Sequence, residues 1–261
     1  MKDVNLLIGN GVDVNSSLEL FGDMDAYNET LEQFLEGVNE KLSQIKKYKE
    51  AGDMKNYSIL VHSLKSDARY LGFTELARLS YEHELASKDN NINEVYEKYN
   101  DLMYEAKRII DLTEEYLGAR VSVPVAEEET KVSEVKDKTI LVVDDSDLIR
   151  TFIKRIFNDS YQVLIAHDGE EAIKIIENSN IDNIIGMLLD LNMPNVDGFA
   201  VLDYLKQHNL FDEIPVSIIT GADSKDNIER AFTYPIIDVL SKPFNEVNIK
   251  RIIEKAIYMK R

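Results

Sequence analysis

Four apolar runs in the second half of the chain each end on a side chain that can carry or bind charge. Thr139–Val143 leads into Asp144, Asp145 and Asp147, and the run from Ile184 leads into Asp190. The run from Pro215 ends on the hydroxyl of Thr220, and the run from Ile236 leads to Ser241 and Lys242. Carboxylates crowded at one edge repel one another unless a hard cation or a basic partner lies among them. An Asp-Asp pair alone is equally a solvated turn and helix cap. Four run ends that deliver an acid pair, a single acid, a hydroxyl and an amine describe a cluster. A second candidate is His62, with Lys65, Ser66 and Gly72 after it. A neutral imidazole is a nucleophile near neutral pH.

The elements that must position these residues follow from pattern. Continuous β-branched runs read as strands buried on both faces, as in a parallel sheet. Strands and helices alternate over Ile140–Val143, Leu148–Phe157, Gln162–Ala166, Gly169–Glu177, Ile184–Leu189, Gly198–His208, Val216–Ile219, Asp226–Phe232, Ile236–Leu240 and Glu246–Met259. Five such units imply a doubly wound α/β fold. The flavodoxin-like order 2-1-3-4-5 would set the ends of strands one and three side by side, bringing Asp144 and Asp145 to Asp190.

Residues 1–118 contain no proline and repeat apolar residues at three and four. Tyr27, Leu31, Phe34, Leu35, Val38, Leu42 and Ile45 draw one stripe; Tyr57, Leu60, Val61, Leu64, Ala68 and Leu71 draw another. Thr74–Ala86, with Thr74 as N-cap, and Ile92–Leu117 add two more, which predicts an all-α four-helix bundle with a short segment at Ser17–Phe21 across one end. By helical angle His62 turns to solvent beside Val61, on a face shared with Ser58, Lys65, Ser66 and Arg69. As an exposed residue it should be replaceable by Gln within about 0.5 kcal/mol. His83, between Glu82 and Glu84, reads as a surface residue. His167 and His208 also read as structural, and none of the three has a second ligand at metal spacing.

Between the halves, residues 119–137 hold one proline, three consecutive glutamates and no aromatic residue, the composition of an acidic linker. Gly118 fits a helix stop before it. The expected domains are therefore 1–118, the linker 119–137, and 138–261. The chain has no cysteine, which excludes disulfides and thiolate chemistry, and a net charge of −18, which argues against nucleic acid as a partner. No run approaches the ~20 apolar residues of a membrane span, and no signal-peptide pattern opens the chain, so a cytoplasmic protein is expected.

The C-terminal constellation resembles the receiver domain of bacterial response regulators over roughly 138–261. His62-Ser63-Leu64-Lys65-Ser66, with Gly72 beyond, resembles the phosphoacceptor motif of histidine-containing phosphotransfer (HPt) domains, a likeness extending over residues 10–117. These resemblances imply a two-component phosphorelay intermediate. Asp190 would be the phosphoacceptor of the receiver, and Asp145, Asp190 and the carbonyl of Asn192 would hold Mg²⁺, with Asp144 acting through water. Lys242 would pair with a phosphate oxygen and Thr220 would hydrogen-bond another. The Lys242–Pro243 bond would be cis. His62 would carry the phosphoryl group of the HPt half, with Lys65 screening its charge. Ser66 stands where the family usually has glycine, and Val239 stands at the usual aromatic switch position. Implied partners are a sensor histidine kinase or hybrid-kinase receiver as donor, and other receiver or HPt domains. No kinase ATP site and no DNA-binding output domain are expected. The alternatives are a receiver-gated scaffold with a silent His62, and a phosphatase resembling the haloacid dehalogenase class. For the latter, Asp145 and Asp147 follow a buried strand, but the acidic cluster that should follow the lysine is missing.

Overall fold

The computed structural model describes residues 2–118, 138–221 and 225–260, and the stretch read as an acidic linker lies outside them. The described residues form two compact units.

The first unit is helical: α1 (Val4–Gly9), α2 (Val14–Phe21), α3 (Met24–Ala51), α4 (Met54–Tyr70), α5 (Thr74–Lys88) and α6 (Ile92–Leu117). Helix starts are written in the sequence by Asp13, Asp23, Asp53 and Asn91, whose side chains each accept a first-turn amide. Gly52 and Gly118 close α3 and α6 in the left-handed conformation. The N-cap of α5 is Phe73 rather than Thr74, and it makes no side-chain cap bond. The four long helices pack in a ring, α3 on α4, α4 on α5, α5 on α6 and α6 on α3. Both predicted stripes, on α3 and α4, are buried within it.

Gly72, in the α4–α5 turn, has φ +74°, and a Cβ there would overlap the carbonyl oxygen of Asp13. The amide of Asp13 donates to the Gly72 carbonyl at 2.9 Å. The glycine thus docks the start of α2 against the turn that follows α4, which only a residue without a side chain permits.

The second unit is a five-stranded parallel sheet of β1 (Thr139–Val143), β2 (Gln162–Ala166), β3 (Ile184–Leu189), β4 (Val216–Thr220) and β5 (Asp238–Ser241). Its order is β2-β1-β3-β4-β5, as the pattern predicted. Helices α7 (Asp147–Phe157), α8 (Gly169–Asn178), α9 (Gly198–Gln207), α10 (Lys225–Ala231) and α11 (Glu246–Met259) alternate with the strands. β1, β3 and β4 are buried along their whole length, as continuous apolar runs require. β5 starts two residues later than expected, because its ladder with β4 begins at Ser217 opposite Asp238. Val143 pairs with Leu189, so the residues that follow them, Asp144 and Asp190, emerge side by side.

Candidate functional site

The C-terminal ends of β1, β3, β4 and β5 converge on one polar cluster. Asp144, Asp190 and Thr220 are fully buried, Lys242 nearly so, and Asp145 and Asn192 half-buried. Carboxylate oxygens of Asp144, Asp145 and Asp190 all lie within 4.8 Å of one another. The Lys242 ammonium pairs with Asp144 at 2.7 Å and with Asp190. Its amide donates to the Thr220 carbonyl at 2.6 Å, tying β5 to β4, and its bond to Pro243 is cis. The amide of Asn192 donates to Asp190 Oδ1 at 3.0 Å. The Thr220 hydroxyl has no hydrogen-bond partner among the described residues.

Three carboxylates converge here, and the Lys242 ammonium pairs with two of them, Asp144 and Asp190, in a buried place. Burial lifts Asp144 to about 7; Lys242 opposes this, while Asp190 and Asp145 add to it. Burial would depress the Lys242 ammonium, but Asp144, Asp190 and Asp145 outweigh it and hold it above its ordinary value. An oxygen-only donor set of this charge fits a hard divalent cation such as Mg²⁺. The geometry brings together all the residues expected here. Val239, at the usual aromatic switch position, is half-buried and packs against the hydrophobic core.

Two neighbours were not foreseen. Gly198 opens α9 so close to Asp190 that a Cβ would overlap the Asp190 carbonyl oxygen. Arg150, on α7, is buried: its Nη1 donates to the Asp144 carbonyl and its Nη2 to the Asp147 carboxylate. A Gly after an acid and an Arg on the first helix turn are common features, so neither carried a signal in the sequence.

In the helical unit the expectation for His62 is overturned. His62 is only 2% exposed, and Ser58, Lys65 and Ser66 on the same face are buried with it. A polar face was read as a solvent face; instead it packs on α5, whose Glu84 neutralises it. His62 Nδ1 lies 2.8 Å from Glu84 Oε1, Lys65 Nζ 2.5 Å from Glu84 Oε2, and Lys88 Nζ 2.6 Å from Glu84 Oε1. Burial would raise the Glu84 carboxyl, but His62 and Lys65 outweigh it and hold it well below its usual range. An ionised Glu84 can only accept, so Nδ1 carries the proton and the Lys65 ammonium, 3.3 Å away, is a close neighbour of that nitrogen. In the neutral imidazole the lone pair then falls on Nε2, which is buried and without a hydrogen-bond partner among the described residues. Lys65 is therefore engaged with Glu84, and burial pulls its pKa down against that partner. Glu84 was missed because its pairing spans twenty-two positions and two helices.

His83 is also a correction. It is buried, not on the surface, with Nδ1 2.7 Å from the Tyr57 hydroxyl. Burial lowers its pKa, opposed by the Lys98 backbone. A histidine held neutral in the fold costs stability as pH falls below its unfolded value of about 6.5 and through the lowered folded value. His83→Gln should flatten the pH dependence of the urea midpoint of the helical unit between pH 7 and 5. An unchanged slope would show that His83 titrates freely. His167 is exposed, and His208 caps α9 with its ring 4.3 Å from Tyr204.

Comparison with known proteins separates the two units. Residues 140–254 match the response regulator receiver domain, and residues 29–111 match the Hpt domain. The chain is 34% identical over 125 residues to the alkaline phosphatase synthesis transcriptional regulatory protein PhoP of Bacillus subtilis, covering 46% of this chain and 50% of that protein. It is 34% identical over 109 residues to the CAI-1 autoinducer sensor kinase/phosphatase CqsS of Vibrio cholerae, covering 41% of this chain and 16% of that one. The chain thus spans half or less of these relatives. A solved receiver domain from Clostridium thermocellum aligns with 29% identity and a TM-score of 0.43, over 47% of this chain and 96% of that one. With one family matched inside each unit, the chain is an Hpt domain joined to a response regulator receiver domain.

Proposed function

We propose that the chain is a two-component phosphorelay intermediate that carries a phosphoryl group on Asp190 in its receiver half (138–261) and on His62 in its Hpt half (1–118). The observation that carries the reading is the cluster of Asp144, Asp145, Asp190 and Lys242, with the Thr220 hydroxyl at the same sheet edge, which has no hydrogen-bond partner among the described residues.

The Asp190 carboxylate attacks the phosphorus of a donor phosphohistidine or small acyl phosphate; the bond to the donor nitrogen or oxygen breaks and the donor leaves with its electron pair. Asp145, Asp190 and the Asn192 carbonyl would hold Mg²⁺, with Asp144 acting through water, and the ion would neutralise charge on the phosphoryl oxygens. Lys242 turns from Asp190 to a phosphoryl oxygen, and the Thr220 hydroxyl donates to another. Such transfer asks mainly for positioning and charge. In the other half Glu84 accepts from Nδ1–H, so Nε2 of His62 is the attacking atom: it bonds to the phosphorus of a donor aspartyl phosphate, the acyl P–O bond breaks, and the donor leaves as a carboxylate with the electron pair. Because Nε2 is buried, a partner reaches it after the imidazole or α5 shifts. Donors of the chemistry required are a sensor histidine kinase or the receiver of a hybrid kinase, and acceptors are other receiver or Hpt domains.

Incubation with acetyl phosphate and Mg²⁺ should add one phosphate to Asp190, read by peptide mass spectrometry, and Asp190→Asn should remove it. Acid-labile label then appearing on His62 would establish exchange between the two sites. Absence of label from the wild-type chain with Mg²⁺ present would overturn the reading in favour of a scaffold.

A further inference from the structure

We infer that Arg150 is a positioning residue for the metal site: by clamping the turn between β1 and α7 it sets the affinity of the acid cluster for Mg²⁺. The inference rests on the receiver reading above. A guanidinium is rarely buried without a partner that repays its desolvation. Arg150 is 2% exposed, and it spends its donors on the turn rather than on the cluster's carboxylates: Nη1 on the Asp144 carbonyl, Nη2 on the Asp147 side chain. Those two contacts bracket Asp145, whose carboxylate must enter the cluster. The same turn is held from inside by the Ser146 amide, which donates to Asp144 Oδ1 at 2.9 Å, and by the Asp144 amide, which donates to Ala166 at 3.2 Å. Arg150 thus reaches both ends of the turn, and its rigid planar fork aims two nitrogens at two acceptors in one fixed geometry, where lysine offers a point charge on a flexible stem.

The sign of the effect separates positioning from charge. Arg150 is a cation beside a cation site, so if only its charge mattered, removing it would tighten Mg²⁺ binding. If it positions the turn, removing it loosens binding despite the relief of repulsion. Groups that orient metal ligands from behind change affinity by about 10–100-fold when lost. Calorimetric titration of the full chain with MgCl₂ is the test, on wild type, Arg150→Lys and Arg150→Met, with circular dichroism recording that each is folded. The Lys variant keeps the charge and loses the fork. Both variants should bind Mg²⁺ about 10-fold or more weakly. Wild-type affinity in the Lys variant, or tighter binding in the Met variant, would overturn the inference. So would loss of the fold in both, which would make Arg150 a general stabilising residue. A wild-type chain that does not bind Mg²⁺ would instead refute the metal reading on which the inference stands.

Discussion

Glu84→Gln is expected to destabilise the helical unit by about 3–5 kcal/mol, the usual result of removing one partner from a buried charge cluster. Glu84 is 1% exposed and is the common acceptor for His62, Lys65 and Lys88. The neutral amide would leave the fully buried Lys65 ammonium without its counter-charge, and burial already lowers the Lys65 pKa. It would also release the Nδ1 proton of His62, so that either tautomer could form and the Nε2 lone pair would no longer be fixed. His62→Gln should cost less, about 1–2 kcal/mol, because Glu84 keeps both lysines and one buried hydrogen bond is lost. Urea melts followed by far-UV circular dichroism check the order; equal costs would sink the account of Glu84 as the hub. The depressed Glu84 pKa adds a sign. Its stabilisation is complete above the ordinary carboxylate value of about 4.3 and is lost as pH falls through the folded value. The Gln variant should therefore lose part of the wild type's acid-side slope.

Lys242→Met should have an effect of similar size in the receiver unit, about 3–5 kcal/mol in metal-free buffer. The Lys242 ammonium is the cation that Asp144 and Asp190 share in the fully buried end of the sheet. Without it Asp144 and Asp190 would face each other without the cation they share. Mg²⁺ should then restore much of the loss, because an ion that binds only the folded state stabilises it by mass action. Its affinity should rise, since a competing cation has left the carboxylates. Phosphate uptake on Asp190 should nevertheless fall, for the phosphoryl oxygens would lack their ammonium. Thermal melts with and without MgCl₂ read the first two effects. A variant whose melting is insensitive to Mg²⁺ would refute the shared-cation account. Lys242 and Arg150 therefore predict opposite shifts in Mg²⁺ affinity, because one contacts the ligands' carboxylates and the other the backbone that carries them.

The sequence by itself determined the α/β order and the convergence of the acid cluster. β1 and β3 are continuous apolar runs, the runs of β1, β3, β4 and β5 each lead to a polar residue, and a parallel sheet with right-handed crossovers brings such ends to one edge. That information is local, so Asp144, Asp190, Thr220 and Lys242 could be placed together without coordinates. The helix stripes on α3 and α4 were legible for the same reason, since a 3.6-residue period shows which side is apolar. What periodicity could not say is what covers the polar side. His62, Ser58, Lys65 and Ser66 form a face that reads as solvated, and only the packing of α5, with Glu84 among its buried residues, turns it inward. His83 was misjudged alike, because Tyr57 lies on another helix. Arg150 and Gly198 belong with them: their roles come from contacts with the backbone of Asp144 and Asp190, and no side-chain pattern encodes such a contact. Tertiary structure decided these points because a charge is neutralised by whatever lies within a few ångströms, however far away that group stands in the chain.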